Sequence, residues 1–130
     1  MGTRKKKVEA KAPEMWVPPP RWEDVTSYSQ GERGRKAPTH WACTFYMSPV
    51  PKNAGFVWGA DSYSVQLSRS AEGWWRAQCT ELRLHASRQD HGDSLVDAQA
   101  WAVESMVERA LRVLEGLQRE VARLGKKEEG

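Results

Sequence analysis

From Tyr63 to Ser68 the chain alternates residue by residue, with Tyr63, Val65 and Leu67 on one side and Ser64, Gln66 and Ser68 on the other. That is the period of a strand with one buried face. RSAEG follows as a turn, with Gly73 available for positive φ, and then the run WWRAQCTELRLHA begins. In that run Trp75, Ala77 and Cys79 share a face, whereas Leu82 and Leu84 fall on the opposite parity. A parity switch of this kind requires a bulge or break near Thr80 and Glu81. Upstream, HWACTFYM is rich in strand formers and sets Trp41, Cys43, Phe45 and Met47 on one face. SPVPKNAG then reads as a loop, because its prolines cannot continue a ladder. Phe56, Val57 and Trp58 read as a short extension into the next strand.

After the loop SRQDHGD the period changes to that of a helix. Leu95, Ala98, Ala102, Met106, Ala110, Val113, Leu117, Val121 and Leu124 recur at helical spacing. Gly92 ends the loop. Ser94 with Asp97 three residues on has the form of a capping box, and Asp93 and Asp97 complement the positive end of the helix. The alanines at 98 and 102 let the first turns approach a surface closely, and the expected surface is the sheet face of Tyr63, Val65, Leu67 and Trp75. Thirty residues from Leu95 to Leu124 rise about 45 Å, against about 20 Å for a six-residue strand. The second half must therefore overhang the sheet, bend (Gly116 is the candidate break) or pack on something else.

These elements predict an α+β fold: a small antiparallel three-stranded sheet in β-β-β-α order, packed by one long C-terminal helix. The expected domain spans 39–124, with a frayed tail at 125–130 and a disordered or extended arm at 1–38. The arm carries RKKK at 4–7 and then PEMWVPPPRWEDV, where three prolines favour polyproline II. Trp16 and Trp22 bracket that rigid segment, either as a docking peptide for a partner's groove or as side chains packed on the chain's own domain. Residues 27–38, polar and glycine-bearing, read as a linker.

The net charge of +3 is unevenly placed. Residues 1–40 hold nine Lys/Arg against five Asp/Glu, and residues 41–130 hold eleven against twelve. The basic character belongs to the arm, and the folded region makes no field that implies a nucleic-acid-binding face. Cys43 and Cys79 lie in apolar strand-like runs with no apolar leader before them. Buried reduced thiols of a cytoplasmic protein are the expectation, ahead of a disulfide or a zinc site, for which His40 and Cys43 have no second pair. No apolar run spans a bilayer. Seven tryptophans supply a small core with large buried area, which accounts for Trp41, Trp75 and Trp101 at least.

The segment YSVQLSRSAEGWWRAQCTELRLHASRQDHGDSLVDAQAWAVESM resembles the N-terminal domain of HicB-like antitoxins over about 45 of the 130 residues. Gly73, Trp74 and Trp75 sit where that family has Gly-aromatic-aromatic. Gly92, Asp93, Ser94, Asp97, Ala98 and Ala102 match its helix start. The family's Asp-Leu-Pro-Gly turn is replaced by Glu81-Leu82-Arg83-Leu84. The resemblance implies a sheet-on-helix domain that binds and occludes a protein partner.

No arrangement of residues indicates catalysis. Asp90, His91 and Asp93 are neighbours in a loop, but no nucleophile accompanies them. No cofactor, metal site or catalytic residue is expected. The expected function is a non-catalytic protein-binding module, a regulator, inhibitor or assembly component. It would bind another protein or a second copy through Val113, Leu117, Val121 and Leu124, with Trp16 and Trp22 from the arm. The alternative is a nucleic-acid-binding accessory protein that uses Arg4, Lys5, Lys6, Lys7, Arg33, Arg35 and Lys36 with exposed tryptophans.

Overall fold

The computed structural model describes residues 14–53, 61–89 and 94–129. Among them lie strands β1 (Met15–Trp16), β2 (Trp22–Asp24), β3 (His40–Tyr46), β4 (Val50–Pro51), β5 (Ser62–Arg69), β6 (Trp74–Cys79) and β7 (Leu84–Gln89), followed by helix α1 (Leu95–Glu129). β3, β5 and β6 are the three strands that the hydrophobic pattern predicts, and they form the centre of an antiparallel sheet. That sheet has five strands rather than three, in the order β2-β3-β5-β6-β7. β1 and β4 form a separate two-stranded antiparallel ladder.

Each added strand has a physical cause. At the parity switch the chain does not bulge. It makes a 3-10 turn over Thr80–Leu82, and Arg83 takes a left-handed conformation at φ 53°. The chain reverses there, so Cys79 pairs with Leu84 and β7 runs back along β6. Reversal of direction, not a defect in one strand, puts Leu82 and Leu84 in the core beside Trp75, Ala77 and Cys79. At the other edge β2 pairs Trp22 with Cys43 and Asp24 with Trp41. Strand parity places Trp22 on the core face, where its half-buried ring packs against the central cluster. The arm expected over 1–38 therefore contributes strands from Met15 onward.

The segment between β2 and β3 is closed by Thr26, which is buried. Its Oγ1 accepts from the backbone N–H of Thr39 at 2.9 Å and of His40 at 3.0 Å, and donates to the His40 carbonyl at 3.2 Å. Asp24 reinforces the closure: its carboxylate accepts from the Thr26 N–H at 2.9 Å and from the Tyr28 hydroxyl at 2.7 Å. The Thr26 side chain, then the Tyr28 hydroxyl and the Thr26 N–H, hold the Asp24 carboxyl below its ordinary value. Within the loop, Gly31 and Gly34 adopt positive φ, which a side chain would resist. The stretch read as a linker is thus an ordered loop with both ends tied to one hydroxyl.

α1 packs on β5, β6, β7 and the 3-10 turn. Ser94 Oγ accepts from the Asp97 N–H at 3.2 Å, and the Ser94 carbonyl accepts the first helical bond from Ala98 at 3.0 Å. The capping serine thus behaves as its position implies, while Gly92 and Asp93 lie outside the described residues. Ala98 and Ala102 have no exposed surface. They lie in one cluster with Trp41, Val65, Leu67, Trp75 and Ala77. The Trp41 and Trp75 rings sit 5.9 Å apart at a 46° tilt, within the range of favourable aromatic pairs. Met47, expected on the Trp41 face, lies past the end of β3 and is half exposed. The helix is continuous through Gly116 and runs to Glu129, so no break occurs there and the tail expected to fray from 125 is helical. The reason is local: no proline or left-handed residue interrupts the register, and a helical glycine costs only about 1 kcal/mol.

Two substitutions test this packing. Thr26→Val keeps the volume but takes the acceptor from two partly buried N–H donors, and should lower unfolding free energy by about 1 kcal/mol in urea titrations. Ala102→Leu forces the helix off the sheet and should cost about 1–3 kcal/mol in the same assay.

Candidate interaction surfaces

α1 is about 52 Å long at 1.5 Å per residue, and the sheet supports only its first half. Arg109 marks the departure, its Nε donating to the Leu82 carbonyl at 2.9 Å. Ala110 is the last residue packed against the core. From Leu111 to Lys126 every residue is exposed except the half-buried Gly116. Of the three outcomes open to the second half, overhang is the one realised. Val113, Leu117, Val121 and Leu124 lie on this stretch, at 37%, 59%, 67% and 59% exposure. Val107, Leu111 and Leu114, absent from the sequence-derived set, are also exposed. For Val107 and Leu114 the signal was available, since Val107, Ala110, Leu114, Leu117, Val121 and Leu124 alternate strictly at three and four residues, whereas Leu111 lies beside that row. The polar side is stitched by Glu108–Arg112 at 2.6 Å and Glu120–Arg123 at 3.0 Å.

The two arm tryptophans separate. Trp22 is on the sheet and packs on the chain's own core. Trp16 pairs through its backbone with Val50 in the small ladder, and its side chain remains exposed. Trp16, Pro18, Pro19, Arg21 and Tyr46 line a groove of about 670 Å³. The expected basic cluster separates as well. Arg4, Lys5, Lys6 and Lys7 lie outside the described residues. Arg33 stacks its guanidinium 4.5 Å from the Tyr28 ring centroid, and Arg35 lies exposed on the loop. Lys36 joins a different group, on the sheet face away from α1. There Lys36, His40, Gln66, Ser68, Arg76 and Gln78 line a shallow cleft of about 500 Å³, and none of its lining residues is a carboxylate.

Comparison with protein-family models, curated proteins and solved structures returns no match to the chain.

Among the described residues no three His, Cys, Asp or Glu side chains cluster as a metal site. No helix among them is long and apolar enough to cross a membrane. Asp90, His91 and Asp93 lie outside the described residues. Cys43 and Cys79 are free and buried. They stand on β3 and β6, with β5 between them. Two strand spacings amount to roughly 10 Å, beyond the reach of a disulfide. Burial pushes both thiols above the ordinary cysteine value. The Glu23 charge adds to this at Cys43, and Glu81, whose carboxylate accepts from the Cys79 thiol at 3.4 Å, does so at Cys79. A raised pKa leaves less thiolate at a given pH. Both cysteines should therefore resist a thiol-specific reagent at pH 8 in the native protein, and react together on unfolding.

Proposed function

We propose that the chain is a non-catalytic protein-binding module, a regulator, inhibitor or assembly component, acting through its long helix and its N-terminal arm. One observation carries this role. The second half of α1 presents a continuous row of valine and leucine to solvent, with an ion-paired polar side behind it. Monomeric proteins seldom leave an apolar strip of that length uncovered. A bare helix of this size in water also draws little stability from its own propensity, so a partner would stabilise it as well as cover it. The resemblance of residues 63–106 to HicB-like antitoxin domains supports the same class of role, occlusion of a protein partner. Trp16, exposed beside the proline groove, supplies an aromatic anchor of the kind enriched where proteins dock.

Leu117→Asp and Val121→Asp test the role, because neither side chain touches the sheet. Both variants should unfold within about 0.5 kcal/mol of the parent, yet lose the partner that the full chain captures from its host. Retention of both partner and oligomeric state in the double variant would refute it.

A second role, nucleic-acid binding, is favoured by the carboxylate-free cleft that brings Lys36 beside His40 and Arg76. In that case affinity for a single-stranded oligonucleotide should fall steeply with salt, and Lys36→Gln and Arg76→Gln should each reduce the log–log slope by about 0.7. A flat tryptophan-fluorescence titration at low salt would exclude this role.

A further inference from the structure

We infer that the strip on α1 pairs with the same strip on a second copy of the chain, antiparallel, about a two-fold axis near residues 115 and 116. This inference rests on the strip's being a protein-docking surface, as proposed above, and names its occupant.

The row Val107, Ala110, Leu114, Leu117, Val121 and Leu124 follows the 3-4 alternation of a two-helix seam. Turned about its own midpoint, the row falls onto itself. Val107 meets Leu124 of the second copy, Ala110 meets Val121, and Leu114 meets Leu117. Each layer is then filled by two apolar residues, which is what an isologous contact requires.

Charge selects the direction. Residues 104–115 carry three Glu and two Arg, a net of −1; residues 116–126 carry three Arg/Lys and one Glu, a net of +2. An antiparallel pair sets each half against its opposite, whereas a parallel pair sets the positive halves side by side. The helix dipoles favour the same choice. It also sends the two sheets to opposite ends of the seam, since each sheet covers only the residues up to Ala110.

Size sets the strength. The five Val and Leu side chains of the row, with Leu111 and Val113 flanking it, are 37–67% exposed. Two such strips bury on the order of 1,000 Å² together, the lower bound for a specific interface. The dimer should therefore be reversible, with a dissociation constant on the order of micromolar.

Sedimentation equilibrium of the full chain over about 1–200 µM, bracketing that range, tests the pairing. The mass should climb from the 14.8 kDa monomer towards twice that value, and Leu117→Asp should hold it at the monomer. Orientation is read by oxidative cross-linking. Chains with Ala110→Cys mixed with chains with Val121→Cys should form a cross-linked pair, and neither should cross-link alone. A monomer throughout, a trimer, or self-cross-linking of Val121→Cys would overturn the inference. A monomer that still loses its captured partner on Leu117→Asp would overturn self-pairing alone and leave the binding role standing. A dimer indifferent to both Asp variants, with partner capture also intact, would overturn both.

Discussion

Two alanines set the distance at which helix meets sheet. Ala98 and Ala102 are fully buried one turn apart, so the backbone of α1 lies close to β5 and β6. The bulk of the core comes from the other side, from Trp41, Trp75, Leu67 and Val65. Packing at interior density leaves no slack for a larger side chain at either alanine. From this contact the direction of the helix follows, and with it the point at which the sheet ends beneath it. The Arg109 bond to the Leu82 carbonyl stands at that point, where the chain passes from a buried element to a bare one.

The sheet is completed by polar chemistry as much as by apolar burial. Thr26 gathers two backbone donors and one acceptor into a single buried hydroxyl. Without it the partly buried N–H groups of Thr39 and His40 would lose their shared protein acceptor. The same closure carries Lys36 to the outer face of the sheet, next to His40 and Arg76. Arg33 is turned instead onto Tyr28. Basic residues that look alike in sequence thus end in different environments, and among the loop's basic residues it is Lys36 that lines the cleft.

The described residues place their buried chemistry out of reach and their apolar surface in the open. Both cysteines are enclosed and raised in pKa, a poor setting for nucleophilic work. The half of α1 beyond Ala110 instead carries more exposed valine and leucine than any other stretch among the described residues. An exposed row of this kind on a solvent-facing helix is what the proposed association would use, and its 3-4 spacing is what the proposed self-pairing would need.

Much of this was legible along the chain. Alternation from Tyr63 to Ser68 located a strand and its buried face, and the spacing from Leu95 onward located the helix and its capping serine while leaving overhang, bend and packing open for its second half, because a 2.0 or 3.6 residue period is imposed by local geometry alone. Two errors had one cause. Leu82 and Leu84 announced a change of face, but parity cannot distinguish a bulge from a reversal of direction. The left-handed turn at Arg83 decided that, together with an open edge on β6 to receive β7. Trp22-Glu23-Asp24 likewise carries no strand pattern, since three residues at an edge gain their order from β3 and from the Thr26 closure rather than from themselves. Sequence determined which residues shun water and at what interval; tertiary structure decided which of them were given cover, because burial is a property of two surfaces and the chain written as a line shows only one.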